Sequence, residues 1–299
     1  MMQPLQGSFV ALVTPMFPDG SLDYKSLYSL IEWHIQSGTS GLVVVGTTGE
    51  SSTVTVSEHL EIIEKAIQFA DGRITVIAGT GANSTQEAIE LTQTAASLGA
   101  NFALIVTPYY NKPNQEGLFQ HYTKIADSAE IPQILYNVPS RTACDLQPHT
   151  VERLSEHPNI VGIKEAVSDP ERLNQLLSIS EKRFDQKPFY ILSGDDSTFN
   201  SLMSKGGDGV ISVAANILPA EIAQICNLNL NLKLDEAQEL NIIFTTIYEL
   251  LFIESNPIPV KWMLERMNKI EAGLRLPLIP LGNNYKEKLL NEMIKLKLL

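Results

Sequence analysis

The chain is poor in the residues that build disulfide frameworks and metal sites. It has only two cysteines among 299 residues, Cys144 and Cys226, and no C-x-x-C pair. A disulfide-stapled fold is therefore excluded, and a reducing compartment fits the composition. The five histidines show no ligand spacing such as H-E-x-x-H. We therefore expect no metal site.

Long apolar runs and an excess of positive charge are also missing. No uncharged run reaches the ~20 residues that cross a bilayer, so we expect no membrane association. The segment 1–17 has no Lys or Arg before its short apolar stretch, unlike a signal peptide. The formal net charge of −12 disfavours nucleic-acid binding, because such a surface repels phosphates. The composition predicts a soluble cytoplasmic protein.

Strand-like and helix-like segments alternate along most of the chain. Most strand starts lie roughly 30 residues apart, the length of one βα unit. Eight such units predict an α/β fold, a (β/α)₈ TIM barrel over residues 1–232. A doubly wound sheet is the alternative, but eight regular units would be long for it. The predicted strands begin near Ser8, Gly41, Ile74, Phe102, Ile131, Ile160, Phe189 and Gly209.

The last part of the chain, residues 233–299, has a different pattern. We find no strand-like run after about Asn227, and residues 234–252, 260–267 and 285–299 are predicted to be helices. These segments form a C-terminal helical extension. Its apolar side chains would either pack against another subunit or cover one side of the barrel.

Two predicted helices begin with the pattern of a capping box. Thr55 is followed by Glu58, and Ser84 by Glu87. In such a box the hydroxyl and the later carboxylate each accept a hydrogen bond from a backbone amide that the helix leaves free.

Lys164 is the most informative single residue. It lies near the end of the apolar run 160–166, which is typical of a buried strand. Alternation places Ile160, Gly162 and Lys164 on one face, and Val161 and Ile163 on the other. Burial would lower the lysine pKa from its usual ~10.4 and allow attack on a carbonyl to form a Schiff base. Alternatively, Lys164 snorkels to solvent or forms a salt bridge.

Lys164 would lie at the catalytic face of such a barrel. In TIM barrels the reactive groups lie at the C-terminal ends of the strands. The loop 46–49, Gly-Thr-Thr-Gly, follows the second strand, and its amides and hydroxyls suit a small carboxylate. Alternatively it is only a tight turn with capping hydroxyls. The glycine-rich segment 206–209 precedes the eighth strand, so we expect a turn at the opposite face.

Other polar residues follow the strands at the same face. Tyr136 ends the fifth strand, where it would relay protons or simply pack. Arg141 would bind a carboxylate through its two-pronged guanidinium group or lie free in solvent. Asp195 and Asp196 are predicted to cap a helix rather than bind a metal. The residues alone thus favour a Schiff-base enzyme acting on a small keto acid.

These motifs, in this order, resemble the dihydrodipicolinate synthase family of the pyruvate-dependent class I aldolase superfamily. The similarity covers most of the chain, and several independent motifs are in register. The motifs are residues 46–51, 106–111, 136–142, 162–166, 192–196, 209–216 and 256–261.

The resemblance implies a reaction. Lys164 would form an imine with pyruvate, with no other cofactor, and the derived enamine would add to L-aspartate 4-semialdehyde. The product, 4-hydroxy-tetrahydrodipicolinate, leads to diaminopimelate and lysine. Sibling lyases such as N-acetylneuraminate lyase or a keto-deoxy sugar-acid aldolase are the alternative, but Arg141 favours a short acid. A non-enzymatic barrel would not explain Lys164.

The resemblance also assigns roles to individual residues. Tyr136, Thr47 and Tyr110 would relay protons, with Tyr110 reaching into a neighbouring subunit of a homotetramer built from tight dimers. Thr47 and Thr48 would hold the pyruvate carboxylate. The semialdehyde carboxylate would bind Arg141, and the pocket backbone would include Gly194 and Ile211.

Feedback inhibition by L-lysine is a further implication. Val56 stands where lysine-sensitive members often have histidine, which predicts inhibition that is present but weakened. The matching positions of the inhibitor cleft are Ser51, Ser52, His59, Asn83, Glu87 and Tyr109.

Overall fold

The strands close into a barrel. A computed structural model describes residues 4–183 and 187–299, and within them eight parallel strands pair in chain order, with β1 also pairing with β8. The predicted (β/α)₈ barrel is confirmed. The strands are β1 Gly7–Ala11, β2 Gly41–Val44, β3 Thr75–Gly79, β4 Phe102–Val106, β5 Gln133–Asn137, β6 Ile160–Glu165, β7 Tyr190–Ser193 and β8 Gly209–Ser212.

Helices connect and cover the strands. A short 3₁₀ helix, Ala214–Asn216, follows β8. The described α-helices are α1 Tyr24–Gln36, α2 Val56–Ala70, α3 Thr85–Leu98, α4 Gln115–Ser128, α5 Pro139–Thr142, α6 Pro148–Leu154, α7 Pro170–Arg183, α8 Phe199–Met203, α9 Pro219–Leu230, α10 Leu234–Ile242, α11 Thr245–Leu250, α12 Ile258–Arg266 and α13 Asn283–Lys295. No helix within the described ranges is long and apolar enough to cross a membrane.

The capping box predicted at the start of α2 is complete, and the one predicted at the start of α3 is half formed. At α2, Thr55 N donates to Glu58 Oε2 at 2.8 Å and Glu58 N donates to Thr55 Oγ1 at 3.2 Å, which is a complete capping box. At α3 the Ser84 hydroxyl accepts from Glu87 N at 3.4 Å, which is the hydroxyl half of the box.

The barrel interior is filled by side chains rather than open. One buried cluster lies inside the strands and includes Phe9, Phe102, Ile134, Leu192 and Ile211. Such a filled interior leaves room for substrate only at the ends of the strands. Residues 206–208 lie between α8 and β8 and Gly209 begins β8, so this segment is a turn at the opposite end, as predicted.

The alternation predicted for β6 is wrong at its start. Gln133 pairs with Ile160 but Ile134 pairs with Gly162, so Val161 is an extra residue in a bulge. Ile160 therefore packs in the outer cluster, whereas Val161 belongs to the interior cluster. The bulge ends before Lys164, which still faces inward.

The C-terminal region packs on the barrel in one continuous core. Ile247, Tyr248 and Val260 belong to the same buried cluster as Val213 and Ile222. The single helix predicted over 234–252 is instead two helices, α10 and α11. Two turn residues, Ile243 and Phe244, separate them, and Phe244 is buried in this cluster.

Candidate active site

A cavity of about 650 Å³ opens at the C-terminal ends of the strands. The barrel supplies part of its lining, and the segment 252–256 before α12 supplies another part. Six of the predicted site residues share this lining: Thr47, Thr48, Tyr136, Arg141, Lys164 and Gly194.

Lys164 reaches the cavity from the interior face of β6. It pairs in register with Tyr136 on β5 and Leu192 on β7, and its Nζ lies 4.3 Å from the centroid of the Tyr136 ring. Within the described residues no carboxylate lies at ion-pairing distance from Nζ. A Cβ on Gly194 would lie 3.1 Å from Lys164 Cε, so the glycine leaves room for the lysine side chain.

The environment of Lys164 favours the neutral amine. Burial lowers the pKa of Lys164 to about 7, the Asp196 carboxylate opposes this shift, and the Arg141 guanidinium adds to it. A substantial fraction of the side chain is therefore unprotonated at neutral pH and able to attack a carbonyl carbon.

Tyr136 is placed to move protons beside Lys164. Its side chain is buried, and burial raises the pKa of its phenol, while Arg141 and a hydrogen bond with Thr47 lower it. The hydroxyl therefore stays protonated near neutral pH, and it has Thr47 as a partner. A protonated phenol hydrogen-bonded to a second hydroxyl can pass a proton between solvent and a reacting atom.

The loop after β2 presents its hydroxyls to the cavity. Val45 and Glu50, at its two ends, have φ angles of 47° and 57°, and the loop between them turns back sharply. Gly49 permits the turn, because a Cβ there would lie 3.0 Å from Val45 N. Thr48 is buried, and its Oγ1 accepts a hydrogen bond of 2.9 Å from Asn256 Nδ2.

Arg141 comes from the short helix α5 directly after β5. Its guanidinium group lines the cavity, and Nη2 donates to the Asn256 carbonyl oxygen at 3.4 Å. A fixed positive charge at the rim suits a substrate carboxylate, which can accept two parallel hydrogen bonds from it.

Two predicted residues lie away from the cavity lining. Tyr110 is 89% exposed with φ of 76°, so within one chain it does not approach Thr47 or Lys164. Ile211 lies in the barrel interior, and Val213, two residues further along the chain, lines the cavity.

Asp196 does not cap the helix after β7. It is buried, and its carboxylate accepts from Ser212 Oγ, from Val213 N at 3.0 Å and from Ala214 N at 2.9 Å. It therefore caps the 3₁₀ helix that follows β8, because these amides are free at the start of that helix. Within residues 4–183 and 187–299 no group of His, Cys, Asp and Glu could hold a metal ion.

A second cavity, of about 330 Å³, lies behind the first. Thr47, Val138 and Arg141 line both cavities and form a common wall. Five residues of the predicted inhibitor cleft line the second one: Ser51, Ser52, His59, Glu87 and Tyr109. The sixth, Asn83, donates from Nδ2 to the Tyr109 carbonyl at 3.2 Å.

Two side chains give this second cavity its polarity. His59 is buried, which lowers its pKa, and Nε2 lies 2.7 Å from the Gly79 carbonyl oxygen. Burial, followed by the charge of Glu87, raises the pKa of Tyr109. The cavity thus combines the acidic Glu87 and the cationic Arg141 of the common wall with neutral donors and acceptors.

The structure adds an ionic network beside Lys164 that the sequence had not indicated. The next residue, Glu165, points outward and forms a 2.8 Å ion pair with Arg172 Nε. Arg172 also pairs with Asp145 at 2.8 Å, and Asn137 Nδ2 donates to Glu165 Oε1 at 3.0 Å. These contacts tie the ends of β5 and β6 together, and so hold Tyr136 and Lys164 in register.

A second group was missed because its members are distant in the sequence. Asn256 contacts both Thr48 and Arg141, and Lys261 on α12 forms a buried ion pair with Glu50 of the threonine loop. The only sequence signal was that 256–261 belongs to the family-like segments.

Known proteins resemble this chain over nearly its whole length. A profile of the dihydrodipicolinate synthetase family matches residues 4–296. The chain is 52% identical over 291 residues to a 4-hydroxy-tetrahydrodipicolinate synthase from Cellvibrio japonicus, covering 97% of this chain and 98% of that protein.

Solved structures show the same similarity. The chloride-inhibited dihydrodipicolinate synthase from Acinetobacter baumannii, complexed with pyruvate, superposes with a TM-score of 0.96 at 50% identity, over 99% of this chain and 100% of that one. The enzyme from Cyanidioschyzon merolae with lysine bound gives 0.94 at 36% identity, again over 99% and 100%.

Proposed function

The chain belongs to the dihydrodipicolinate synthetase family, and from this premise we propose that it condenses pyruvate with L-aspartate 4-semialdehyde. The product is 4-hydroxy-tetrahydrodipicolinate, and the enzyme is a lyase of the Schiff-base type. One observation carries the assignment of the nucleophile: Lys164 is buried in the cavity against the Tyr136 ring, and no carboxylate among residues 4–183 and 187–299 forms an ion pair with it.

The first half of the reaction activates pyruvate. The neutral Lys164 amine attacks C2, and loss of water gives a protonated imine. Tyr136 and Thr47 accept and return the protons of these steps, and Thr47 and Thr48 hold the pyruvate carboxylate. Loss of a proton from C3 then gives an enamine, because the C–H electron pair forms the C2=C3 double bond and the C=N π pair moves onto the positively charged nitrogen.

The second half joins the two substrates. C3 of the enamine attacks the aldehyde carbon of the semialdehyde, whose carboxylate is bound by Arg141. The aldehyde oxygen takes up a proton and becomes the hydroxyl of the product. The substrate amino group then attacks C2 and displaces the Lys164 amine, which closes a six-membered cyclic imine and regenerates the enzyme.

The aldehyde substrate is tested by comparing two acceptors in separate assays. Pyruvate consumption is measured with L-aspartate 4-semialdehyde and, separately, with N-acetylmannosamine. We expect rapid turnover with the semialdehyde alone, and Arg141→Leu should raise its KM more than that of pyruvate. Turnover with the sugar alone would reassign the enzyme to the sugar-acid lyases and leave Lys164 as the nucleophile.

We also propose a homotetramer built from tight dimers, in which Tyr110 completes the site of a neighbouring subunit. Its support is that Tyr110 is 89% exposed in one chain, a large aromatic surface unused by its own cavity. Co-expression of Tyr110→Phe with Lys164→Ala tests the exchange. A mixed dimer has one site with both groups, so activity should exceed that of either variant; no gain would refute the crossover.

Lysine inhibition at the second cavity is a further part of the proposal. The cavity holds Glu87 for an ammonium group and shares a wall with the active site through Thr47 and Arg141. Titration of L-lysine against initial rate tests it, with Glu87→Gln as the variant that should lose inhibition. Full activity at millimolar lysine would refute it.

The proposed compartment is the cytoplasm, where pyruvate is available and Cys144 and Cys226 stay reduced. Both thiols are buried, and neither forms a disulfide. Fractionation of the native host, followed by detection of this chain, should find it with the cytoplasmic enzymes.

A further inference from the structure

The C-terminal region reaches the active site at a specific place, the loop that carries Thr47 and Thr48. The segment 252–256 lines the cavity, and α12 follows it directly. Two side chains from this region, Asn256 and Lys261, bond to the loop. Both come from sequence more than 200 residues away, separated from their partners by 208 and 211 positions.

The first contact is a buried ion pair between Lys261 and Glu50. Their side chains are 3% and 1% exposed, so the pair is removed from solvent. Lys261 Nζ also donates to the Thr14 carbonyl at 3.0 Å, and Arg275 N donates to the other Glu50 oxygen at 3.3 Å. Because buried charges are stable only when paired, Glu50 is held to α12.

Glu50 in turn fixes the end of the loop. Its backbone has φ of 57°, a left-handed conformation that a non-glycine residue adopts only when its surroundings require it. Glu50 N donates to the Thr47 carbonyl at 3.1 Å, and Thr14 Oγ1 donates to the Gly49 carbonyl at 2.7 Å. The ion pair therefore acts on the same turn that presents the two threonine hydroxyls.

The second contact is Asn256, which bonds to both proposed carboxylate-binding groups. Its side-chain Nδ2 donates to Thr48 Oγ1 at 2.9 Å, and its backbone carbonyl oxygen accepts from Arg141 Nη2 at 3.4 Å. Asn256 is 5% exposed, so these bonds are not exchanged freely with water. One residue thus sets the separation between the group proposed for pyruvate and the group proposed for the semialdehyde.

We propose that Lys261 and Asn256 are positioning residues, which hold the Thr47–Thr48 loop in the geometry that binds the pyruvate carboxylate. The proposal rests on the function proposed above only for the role of these threonines. The barrel holds the loop at β2, at α2 and through Thr14, and the C-terminal region adds the contacts of Lys261 and Asn256. Loss of either residue weakens pyruvate binding without removing the Lys164 nucleophile.

The test measures imine formation with pyruvate alone, so it does not depend on the identity of the aldehyde. Borohydride traps the imine, and mass spectrometry gives the adduct yield at each pyruvate concentration. In Lys261→Met and Asn256→Ala we expect the half-saturating pyruvate concentration to rise about tenfold, the effect of weakening one hydrogen bond to a charged group. The maximal adduct yield per folded protein should stay that of the wild type.

A role only in stability would give the opposite pattern. It would lower the melting temperature and the folded fraction, but leave the half-saturating concentration of the folded protein unchanged, and that result in both variants overturns the proposal. If Lys261→Met does not fold, two other variants test the proposal by the same half-saturating pyruvate concentration. They are Asn256→Ala and the double variant Glu50→Gln/Lys261→Met, which buries no unpaired charge.

The matched control is Lys295→Met. Lys295 lies on α13, is 61% exposed in its side chain and pairs with Glu292 away from the loop. The same chemical change there should leave the pyruvate midpoint within the error of the wild type. An equal rise in this control would show a general effect of the C-terminal region and overturn the assignment to Lys261 and Asn256.

Discussion

Lys164 and Lys261 are both almost fully buried, with 6% and 3% exposure, yet their surroundings differ in one respect. Lys261 faces the Glu50 carboxylate and the Thr14 carbonyl, whereas Lys164 faces the Tyr136 ring and the cavity. Burial lowers the pKa of both, but for Lys261 the Glu50 charge opposes the shift at direct contact.

The difference separates a structural cation from a nucleophile. A paired ammonium keeps its proton, because its charge offsets that of the partner, and it then ties two parts of the chain together. An unpaired amine in the same low dielectric becomes neutral more readily and is available to attack a carbonyl. Burial alone therefore does not identify a reactive lysine; the absence of a partner does.

The strongest test removes the Lys164 nucleophile. Lys164→Ala should abolish the borohydride-trapped pyruvate adduct and lower kcat/KM by about a thousandfold or more, because the covalent route is lost. Lys261→Met should still form the adduct. An adduct of wild-type yield in Lys164→Ala would place the nucleophile elsewhere and break the comparison.

The next test keeps the aromatic ring of Tyr136, which faces Lys164, and removes the phenol hydroxyl. Tyr136→Phe should lower kcat by about a hundredfold, since positioned proton transfer contributes on that order. The pyruvate midpoint for trapping should change far less. Tyr190→Phe, on β7 and so two strands away from Tyr136, serves as the control. Equal kcat in the wild type and Tyr136→Phe would exclude the phenol from proton transfer.

A stability measurement compares the two lysines directly. Lys261→Met should lower the free energy of unfolding by about 3 kcal/mol, because Glu50 is left buried and unpaired. Lys164→Met should cost nothing or stabilise, since it replaces an unpaired buried amine by an apolar side chain. Urea denaturation at one protein concentration checks both. Equal losses would mean that Lys164 has a stabilising partner.

The pH dependence of imine formation sharpens the comparison further. With a Lys164 pKa of about 7, the trapping rate at low pyruvate should fall about tenfold per unit below that pH and level off above it. Asp196→Asn removes a negative charge that favours the ammonium form, so the midpoint should move to lower pH. Asp235→Asn, on the exposed start of α10, should not move it. An upward shift in Asp196→Asn would contradict the electrostatic assignment.

The smallest expected effect comes from the second cavity and changes neither lysine. Val56 lines the second cavity and is 56% exposed. Val56→His adds a polar partner for bound L-lysine and should lower the half-inhibitory concentration by about fivefold, the effect of one hydrogen bond. Ile294→His, on the exposed face of α13, is the control. Unchanged inhibition would mean that position 56 does not contact the inhibitor.

Local sequence patterns were sufficient to predict the barrel and the face that carries the reactive groups. The regular spacing of apolar runs reflects one βα unit after another, so the strands begin at or close to the predicted residues. Lys164, Tyr136 and the loop 46–49 were identified because each directly follows or ends a strand, and parallel strands bring such ends to one face.

The same local reasoning failed where a residue contacts residues that are distant from it in the sequence. The bulge at Val161 depends on the register with β5, and the break between α10 and α11 depends on the core that Phe244 enters. Asp196 looked like a cap for the next helix, yet its partners lie on the loop after β8.

The sequence by itself determined the class of fold, the face that carries the chemistry and the residue types of a Schiff-base site, because these follow from periodicity and from strand order. Only the tertiary structure decided which buried lysine is unpaired, that Tyr110 leaves its own cavity, and that Asn256 and Lys261 reach the threonine loop. Those outcomes depend on distances between segments that are far apart in the sequence, and a pattern along the chain does not contain such distances.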